Sequence, residues 1–236
     1  AIIGSAITIV FMMRFVTLRI EEARHVQEIE AEALKIAEIN NITDETYLRA
    51  KNLLPLGNDF LVLTANVIRK KLTRQQIYDF VLEHMISEAF ADGGLVLIVD
   101  GEDEVLKVKS FKGVFPPPYQ LPADVPLQQN RVETSLKYAQ FPFEGNIFAD
   151  VARSAQPLLV KDAQADDRIF KNGDDFFLKA GSYLFLPFLS NGQVTGLTVL
   201  SRSVDSPPFT ESDVEICTIL ADYSSTSIHI VNSLDE

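Results

Sequence analysis

The sequence contains a single cysteine, Cys217, among its 236 residues. One thiol excludes an internal disulfide, a zinc site built from cysteines and a redox pair of two thiols. Basic residues are also few, with 21 lysines and arginines against 33 aspartates and glutamates, so the formal net charge is −12. Because binding to phosphates needs clustered cations, this balance predicts that nucleic acid is not a partner.

Motifs for catalysis and cofactor binding are missing as well. The glycines of GGLVLIVDG, Gly93 and Gly94, precede a strand-like run, which is the wrong end for a dinucleotide-binding fingerprint. Each of the three histidines falls in a different predicted helix, so the sequence does not support a metal or haem site. The acidic loop from Asp162 to Asp175 lacks the ligand order of a calcium-binding loop. We therefore expect this chain not to be an enzyme and to hold no cofactor.

The chain begins with an uncharged apolar run, Ala1 to Met13, which meets Arg14. A membrane-spanning helix needs about 20 apolar residues, so we interpret residues 1–14 as the end of a transmembrane helix that begins upstream. Arg19 and Arg24 follow, and the positive-inside rule then predicts a protein of the cell inner membrane with the rest of the chain in the cytoplasm. A buried helix or the tail of a signal peptide is the alternative.

Residues 15–57 are strongly helical in composition and predict a long N-terminal helix and a helical linker. Four apolar residues follow the spacing of a short coiled-coil seam: Val26, Ile29, Ala33 and Ile36. This seam predicts that the chain forms a homodimer through paired helices. The alternative is that these helices pack only on their own domain.

Helices and then strands follow along the chain. Thr73 and Gln76 predict a capping box at the start of a helix that Gly93 and Gly94 would stop. The apolar run Leu95 to Val99 predicts a central strand. We expect residues 113–143, which include three consecutive prolines, to form one long irregular loop.

The last part of the chain predicts a hairpin and a closing helix. Two apolar runs flank Ser190 to Gly192, and Asn-Gly is a strong hairpin signal. Thr210 and Asp213 predict a capping box for the closing helix. The order of helices, strands, a helix-bearing middle segment, a hairpin and a last helix predicts an α+β fold with an antiparallel sheet.

Three segments in this order resemble the GAF domain, the cytoplasmic sensory module of many signalling proteins, over residues 58–233. They are EGNIFADVARSAQPLLVKD, GSYLFLPFLSNGQVTGLTVLS and PPFTESDVEICTILADYSSTSIHIVNSL. The resemblance implies a sheet with helices on one face and a lid on the other. The first segment would be that lid, a cross-over that roofs a pocket for a small molecule.

The resemblance also suggests which residues would contact such a ligand. Gly145 leaves the amides of the following helix open to an anion, and Arg168 can donate two parallel hydrogen bonds to a carboxylate or phosphate. Phe148, Val151 and either Ile169 or Phe170 would form the apolar underside of the lid. The expected ligand-binding residues are Gly145, Phe148, Asp166, Arg168, Tyr183 and Phe185.

Two other interpretations of the GAF resemblance remain open. Bulky side chains such as Tyr183, Phe185 and Pro187 alternate along one strand and could fill the pocket, which would leave a structural dimerisation module. Cyclic-nucleotide-binding GAF domains carry a motif that this chain matches at Phe209 and Asp213 only in part, since Ser201-Arg202 stands for an Asn-Lys pair and Val214 replaces a Glu. Bilin-binding and sulfoxide-reducing chemistry would need cysteines at positions where this chain has none.

The resemblance finally suggests a place in a larger protein. A histidine kinase, a nucleotide cyclase or a phosphatase commonly follows a GAF domain. We therefore expect the chain to relay a small-molecule or transmembrane signal through a helical dimer to a downstream effector enzyme.

Overall fold

A computed structural model describes residues 73–101, 104–173 and 176–233 of the chain. These residues form four helices and six strands. The predicted transmembrane end at residues 1–14, the linker at residues 15–57 with its apolar seam, and the start of the predicted domain at residue 58 lie outside the described residues. Within the described residues, no helix has the length and apolar character needed to span a bilayer.

Helix α1 (Arg74–Glu88) begins with the predicted capping box. The Gln76 amide donates to the Thr73 hydroxyl, and the Gln76 side chain accepts from the Thr73 amide at 2.8 Å. The predicted stop at Gly93 and Gly94 is wrong, because both glycines belong to the first strand. The helix ends at Ala89 in a Schellman motif, and Phe90 takes the left-handed position that glycine usually occupies. Because no glycine stands there, the sequence carried no signal for this helix end.

The six strands form one antiparallel sheet in the order β3-β2-β1-β6-β5-β4. The predicted strand at residues 95–99 lies at the centre, paired with β2 on one side and β6 on the other. In chain order the strands are β1 (Gly93–Asp100), β2 (Val105–Gly113), β3 (Gln140–Pro142), β4 (Leu158–Val160), β5 (Ala180–Ser190) and β6 (Gln193–Ser203).

The hairpin between β5 and β6 is confirmed. Ser190 pairs with Gln193, so only two residues form the turn. Asn191 has φ 52° and Gly192 has φ 78°, as a tight type I′ turn requires, and asparagine followed by glycine tolerates these angles best.

Helices α1 and α4 (Glu211–Ser233) pack against one face of the sheet and against each other. The Asp213 amide donates to the Thr210 hydroxyl, and the Thr210 amide donates to the Asp213 carboxylate at 2.7 Å, so the second predicted capping box is also confirmed. Cys217 on α4 is fully buried, as expected of a core residue. Burial raises the pKa of its thiol to about 12, so it stays protonated at neutral pH.

The opposite face of the sheet is covered by helices α2 (Gln129–Lys137) and α3 (Ile147–Ser154) with their loops. The prediction of one irregular loop over residues 113–143 is wrong, because this stretch contains α2 and β3. Val132 and Leu136, one helical turn apart, are both fully buried under α2. That spacing is the signal of a short amphipathic helix, which the neighbouring prolines obscured.

Candidate functional site

The lid over the sheet is built from α3, β4 and the loop that follows, in the order the sequence predicts. Gly145 has φ 73°, a left-handed angle that lets the chain turn into the helix. Asn146 then caps α3, since its side-chain oxygen accepts from the Ala149 amide at 2.9 Å. One of the amides expected to face an anion is therefore already bonded within the chain.

A cluster of aromatic rings lies between the lid and the sheet. The Phe148 ring of α3 lies 4.4 Å from the Phe141 ring and 6.0 Å from the Phe185 ring of β5, measured between ring centres. The Phe185 ring lies 5.8 Å from the Tyr183 ring, and Phe115 packs edge-on against Tyr183 at 5.9 Å. Phe148, Phe185 and Tyr183 are at most 1% exposed. These side chains occupy much of the space between the lid and the sheet, and a small cavity of about 60 Å³ remains beside Tyr183 and Ile169.

Tyr183 supplies a polar group inside this cluster. Its hydroxyl donates to the Pro116 carbonyl oxygen at 2.6 Å. Burial raises the pKa of the Tyr183 hydroxyl far above its ordinary value, so it remains a neutral donor. The bond ties β5 to the three consecutive prolines that follow β2.

Asp166 and Arg168 form a separate pair on the lid loop. The Arg168 guanidinium donates to both Asp166 carboxylate oxygens, at 2.9 and 2.6 Å. These hydrogen bonds hold the pKa of the Asp166 carboxyl below its ordinary value. Among the neighbouring apolar residues, Ile169 is the one buried under the lid, whereas Phe170 is 44% exposed.

The predicted site residues thus fall into three places. The structure brings Phe148, Tyr183 and Phe185 together in the ring cluster. It places Asp166 and Arg168 in their mutual pair on the lid loop, and Gly145 before the capped helix.

Asn172, which no sequence pattern indicated, holds the lid loop to the proline segment. Its side-chain oxygen accepts from the Leu121 amide at 2.9 Å, and its nitrogen donates to the Tyr119 carbonyl oxygen at 2.9 Å and to that of Pro117 at 3.3 Å. Leu121 is 51 positions away in the sequence, so no local pattern could reveal the contact. The Asn172 side chain therefore joins the lid loop to the proline segment by hydrogen bonds.

The partial cyclic-nucleotide motif lies on the other side of the sheet, at the junction of α1, β6 and α4. The buried Arg202 guanidinium stacks on the Phe209 ring and lies 3.6 Å from the Asp213 carboxylate. It also donates to the carbonyl oxygens of Ala89, Pro207 and Pro208. The motif residues therefore bind one another in a helix–sheet junction.

Comparison with known families now decides the assignment of this fold. A model of the GAF domain family matches residues 71–229, about two thirds of the chain. The chain belongs to the GAF domain family. A GAF domain is a regulatory sensor module found in signalling proteins, and alone it is non-catalytic. No match was found among curated proteins.

Several solved structures have a similar fold. The GAF domain of a phosphoenolpyruvate-protein phosphotransferase from Coxiella burnetii is 14% identical, with a TM-score of 0.55 over 76% of this chain and 98% of that one. The second GAF domain of DevS from Mycobacterium smegmatis is 19% identical, with a TM-score of 0.50 over 69% and 98%. The free methionine-R-sulfoxide reductase of Neisseria meningitidis, solved with its substrate, is 12% identical, with a TM-score of 0.52 over 74% and 89%. At these identities the likeness concerns the fold alone.

Proposed function

We propose that this GAF domain is a relay module of a membrane-anchored signal-transduction protein. In this proposal its own aromatic side chains fill the space under the lid. A signal from the N-terminal side passes through the packing of α1 and α4 to a downstream effector domain, such as a kinase, a nucleotide cyclase or a phosphatase. The domain works as a homodimer in the cytoplasm, attached to the inner membrane through residues 1–14.

The observation that carries the proposal is the ring cluster beneath the lid. A ligand bound there would have to displace side chains such as Phe148 and Phe185, which are fully buried. Exposing a buried phenylalanine costs about 1.5–3 kcal/mol, before any rearrangement of the lid. The closed arrangement therefore favours a filled core over the binding of a small molecule in this space.

The contacts of Arg202 support a path for the signal. Arg202 bonds to the carbonyl oxygen of Ala89, which caps the end of α1, and pairs with Asp213 in the first turn of α4. The end of one helix and the start of the other are thus attached to one buried side chain. A shift or rotation of α1 would change the position of α4 through this junction.

The dimer and the membrane anchor rest on the sequence of the N-terminal region. The apolar seam Val26, Ile29, Ala33 and Ile36 would pair with its copy, and the arginines after Met13 would keep this seam on the cytoplasmic side. Pairing of the two seams would couple any movement of α1 and α4 in one copy to the same helices in the other copy.

Cysteine crosslinking in membranes tests the dimer. We expect Ile29→Cys or Ile36→Cys to crosslink between chains much better than Glu32→Cys or Lys35→Cys, which lie off the seam. Cys217 can remain in place, because it is fully buried and inaccessible to the crosslinking reagent. Equal crosslinking at all four positions would rule out the paired seam.

Two further measurements test the filled core and the relay, one for each. Native mass spectrometry of the purified chain should show the dimer without a retained small molecule. In the Ile36→Cys background, Arg202→Lys should alter the rate of crosslinking, whereas Arg153→Lys on α3 should not. A tightly retained ligand, whose loss follows Phe148→Ala, would instead favour ligand sensing under the lid.

A further inference from the structure

An open cleft lies beside the edge strand β3, on the outer side of the ring cluster, with Phe141 of that cluster in its floor. Its volume is about 670 Å³, within the range of small-molecule sites. One wall is the loop from Tyr119 to Pro126, another is helix α2, and the floor includes Gln140 and Phe141. The Tyr119 and Phe141 rings, 4.7 Å apart between centres, separate the cleft from the space under the lid.

Helix α2 turns a polar face towards this cleft. Arg131, Thr134, Ser135 and Tyr138 all line it and follow the spacing of one helical face. A different face of α2 carries Val132 and Leu136 into the core. The core packing of the helix therefore fixes which side chains reach the cleft.

Two opposite charges line the cleft from different walls. Asp124 comes from the loop and Arg131 from the helix. Both are exposed, and neither side chain has a hydrogen-bond or ion-pair partner within the described part of the chain. Each is thus available for a ligand, unlike Arg168, which is already bonded to Asp166.

The cleft also has an apolar part. Pro122, Val125 and Pro126 line the loop wall, and Tyr138, which is 80% exposed, stands at the rim. The Tyr119 hydroxyl is shielded from solvent and has no hydrogen-bond partner among the described residues.

We propose that this cleft binds a small zwitterion with an apolar side chain, of the chemical class of a free aromatic or branched α-amino acid. The guanidinium of Arg131 pairs with the carboxylate, and the carboxylate of Asp124 pairs with the ammonium group. The side chain packs on the rings and prolines of the other walls. This site goes beyond the proposed relay, which does not need a ligand, and it lies outside the lid-covered space.

The test uses isothermal titration calorimetry of the 236-residue chain with L-phenylalanine as the probe. We expect a dissociation constant between about 10 µM and 1 mM, since the cleft is open. Two analogues separate the charges: 3-phenylpropionate lacks the ammonium group and phenethylamine lacks the carboxylate. Each should bind at least about tenfold more weakly than the amino acid.

Matched variants locate the binding. Arg131→Gln and Asp124→Asn should each weaken L-phenylalanine binding about tenfold or more, with unchanged thermal melting of the chain. Arg153→Gln and Asp167→Asn, which change exposed charges on the lid, should leave binding unchanged. The proposal is overturned if L-phenylalanine, L-leucine and L-isoleucine give no binding up to about 10 mM. It is equally overturned if both cleft variants bind normally or if 3-phenylpropionate binds as well as the amino acid.

Discussion

The guanidinium carbon of Arg202 lies 4.3 Å from the centre of the Phe209 ring. The same guanidinium faces the Asp213 carboxylate and three backbone carbonyl oxygens, and the Arg202 residue is only 8% exposed. A planar group with several donors can satisfy all these partners at once, which a lysine ammonium cannot do. The junction of α1, β6 and α4 therefore depends on arginine in particular.

Arg202→Lys should lower the free energy of unfolding by about 2–4 kcal/mol, because it keeps the buried charge but loses the stacking and most of the carbonyl contacts. Urea denaturation followed by circular dichroism measures this change. Arg153→Lys is the control, since its partner Asp150 is an exposed residue of the same helix, and it should change stability by less than about 0.5 kcal/mol. Similar losses in the two variants would contradict the role of the junction.

Phe185→Ala should lower the free energy of unfolding by about 3–5 kcal/mol, since it removes a fully buried ring and leaves a cavity under the lid. Thermal denaturation of the variant with and without benzene would show whether the cavity accepts an apolar molecule, and only the variant should be stabilised. Phe170→Ala is the control, because this ring is 44% exposed and outside the cluster. Stabilisation of the unchanged protein by benzene would mean that the space is not filled.

Asn172→Ala should loosen the contact between the lid loop and the proline segment. The change removes three hydrogen bonds to backbone groups and should cost about 1–3 kcal/mol. Hydrogen exchange should become faster at the Leu121 amide, which loses its acceptor. Asn130→Ala, at an exposed position of α2, should leave this amide unaffected. If hydrogen exchange at the Leu121 amide is unchanged in the Asn172→Ala variant, the Asn172 hydrogen bonds do not hold the two loops together.

Asp166→Asn should reduce stability at neutral pH and have less effect in acid. Because the folded-state pKa of Asp166 lies below its ordinary value of 3.8, ionised Asp166 stabilises the fold above that pH, and this contribution is lost as the pH falls through the folded-state pKa. We expect a difference of about 0.5–1 kcal/mol at pH 7, since Arg168 is half exposed. Urea melts at pH 7 and pH 3 measure it, with Asp167→Asn as the control. A difference that grows in acid would contradict the assignment.

Local sequence patterns predicted much of the sheet and the helix starts. The two capping boxes and the Asn-Gly turn are satisfied by residues within a few positions of one another, so their geometry follows from short segments. Helix α2 was missed because its buried face consists of Val132 and Leu136, and so short a pattern is weak beside a run of prolines. The end of α1 was missed because Phe90 takes a conformation that usually selects glycine.

The candidate site was predictable only in part, because local patterns place residues on an element but do not show which residues of other segments they contact. The alternation of Tyr183 and Phe185 placed both rings on one face of a strand, and the GAF resemblance implied that Phe148 lies above them. The partners of Arg168 and Asn172 were not predictable in this way. Asp166 competes with any ligand for Arg168, and the contacts of Asn172 join segments that are distant in the chain.

The sequence by itself determined the antiparallel sheet, the hairpin and the capped helices, because each of these depends on periodicity or on neighbouring residues. Its three segments also carried the resemblance to the GAF domain. Only the tertiary structure decided that the rings of Phe148, Tyr183 and Phe185 pack together under the lid and that Arg202, Phe209 and Asp213 bind one another. It also brought Asp124 and Arg131 to two walls of one cleft. These features are tertiary contacts between side chains of separate elements, and the packing of the elements against one another determines which contacts form.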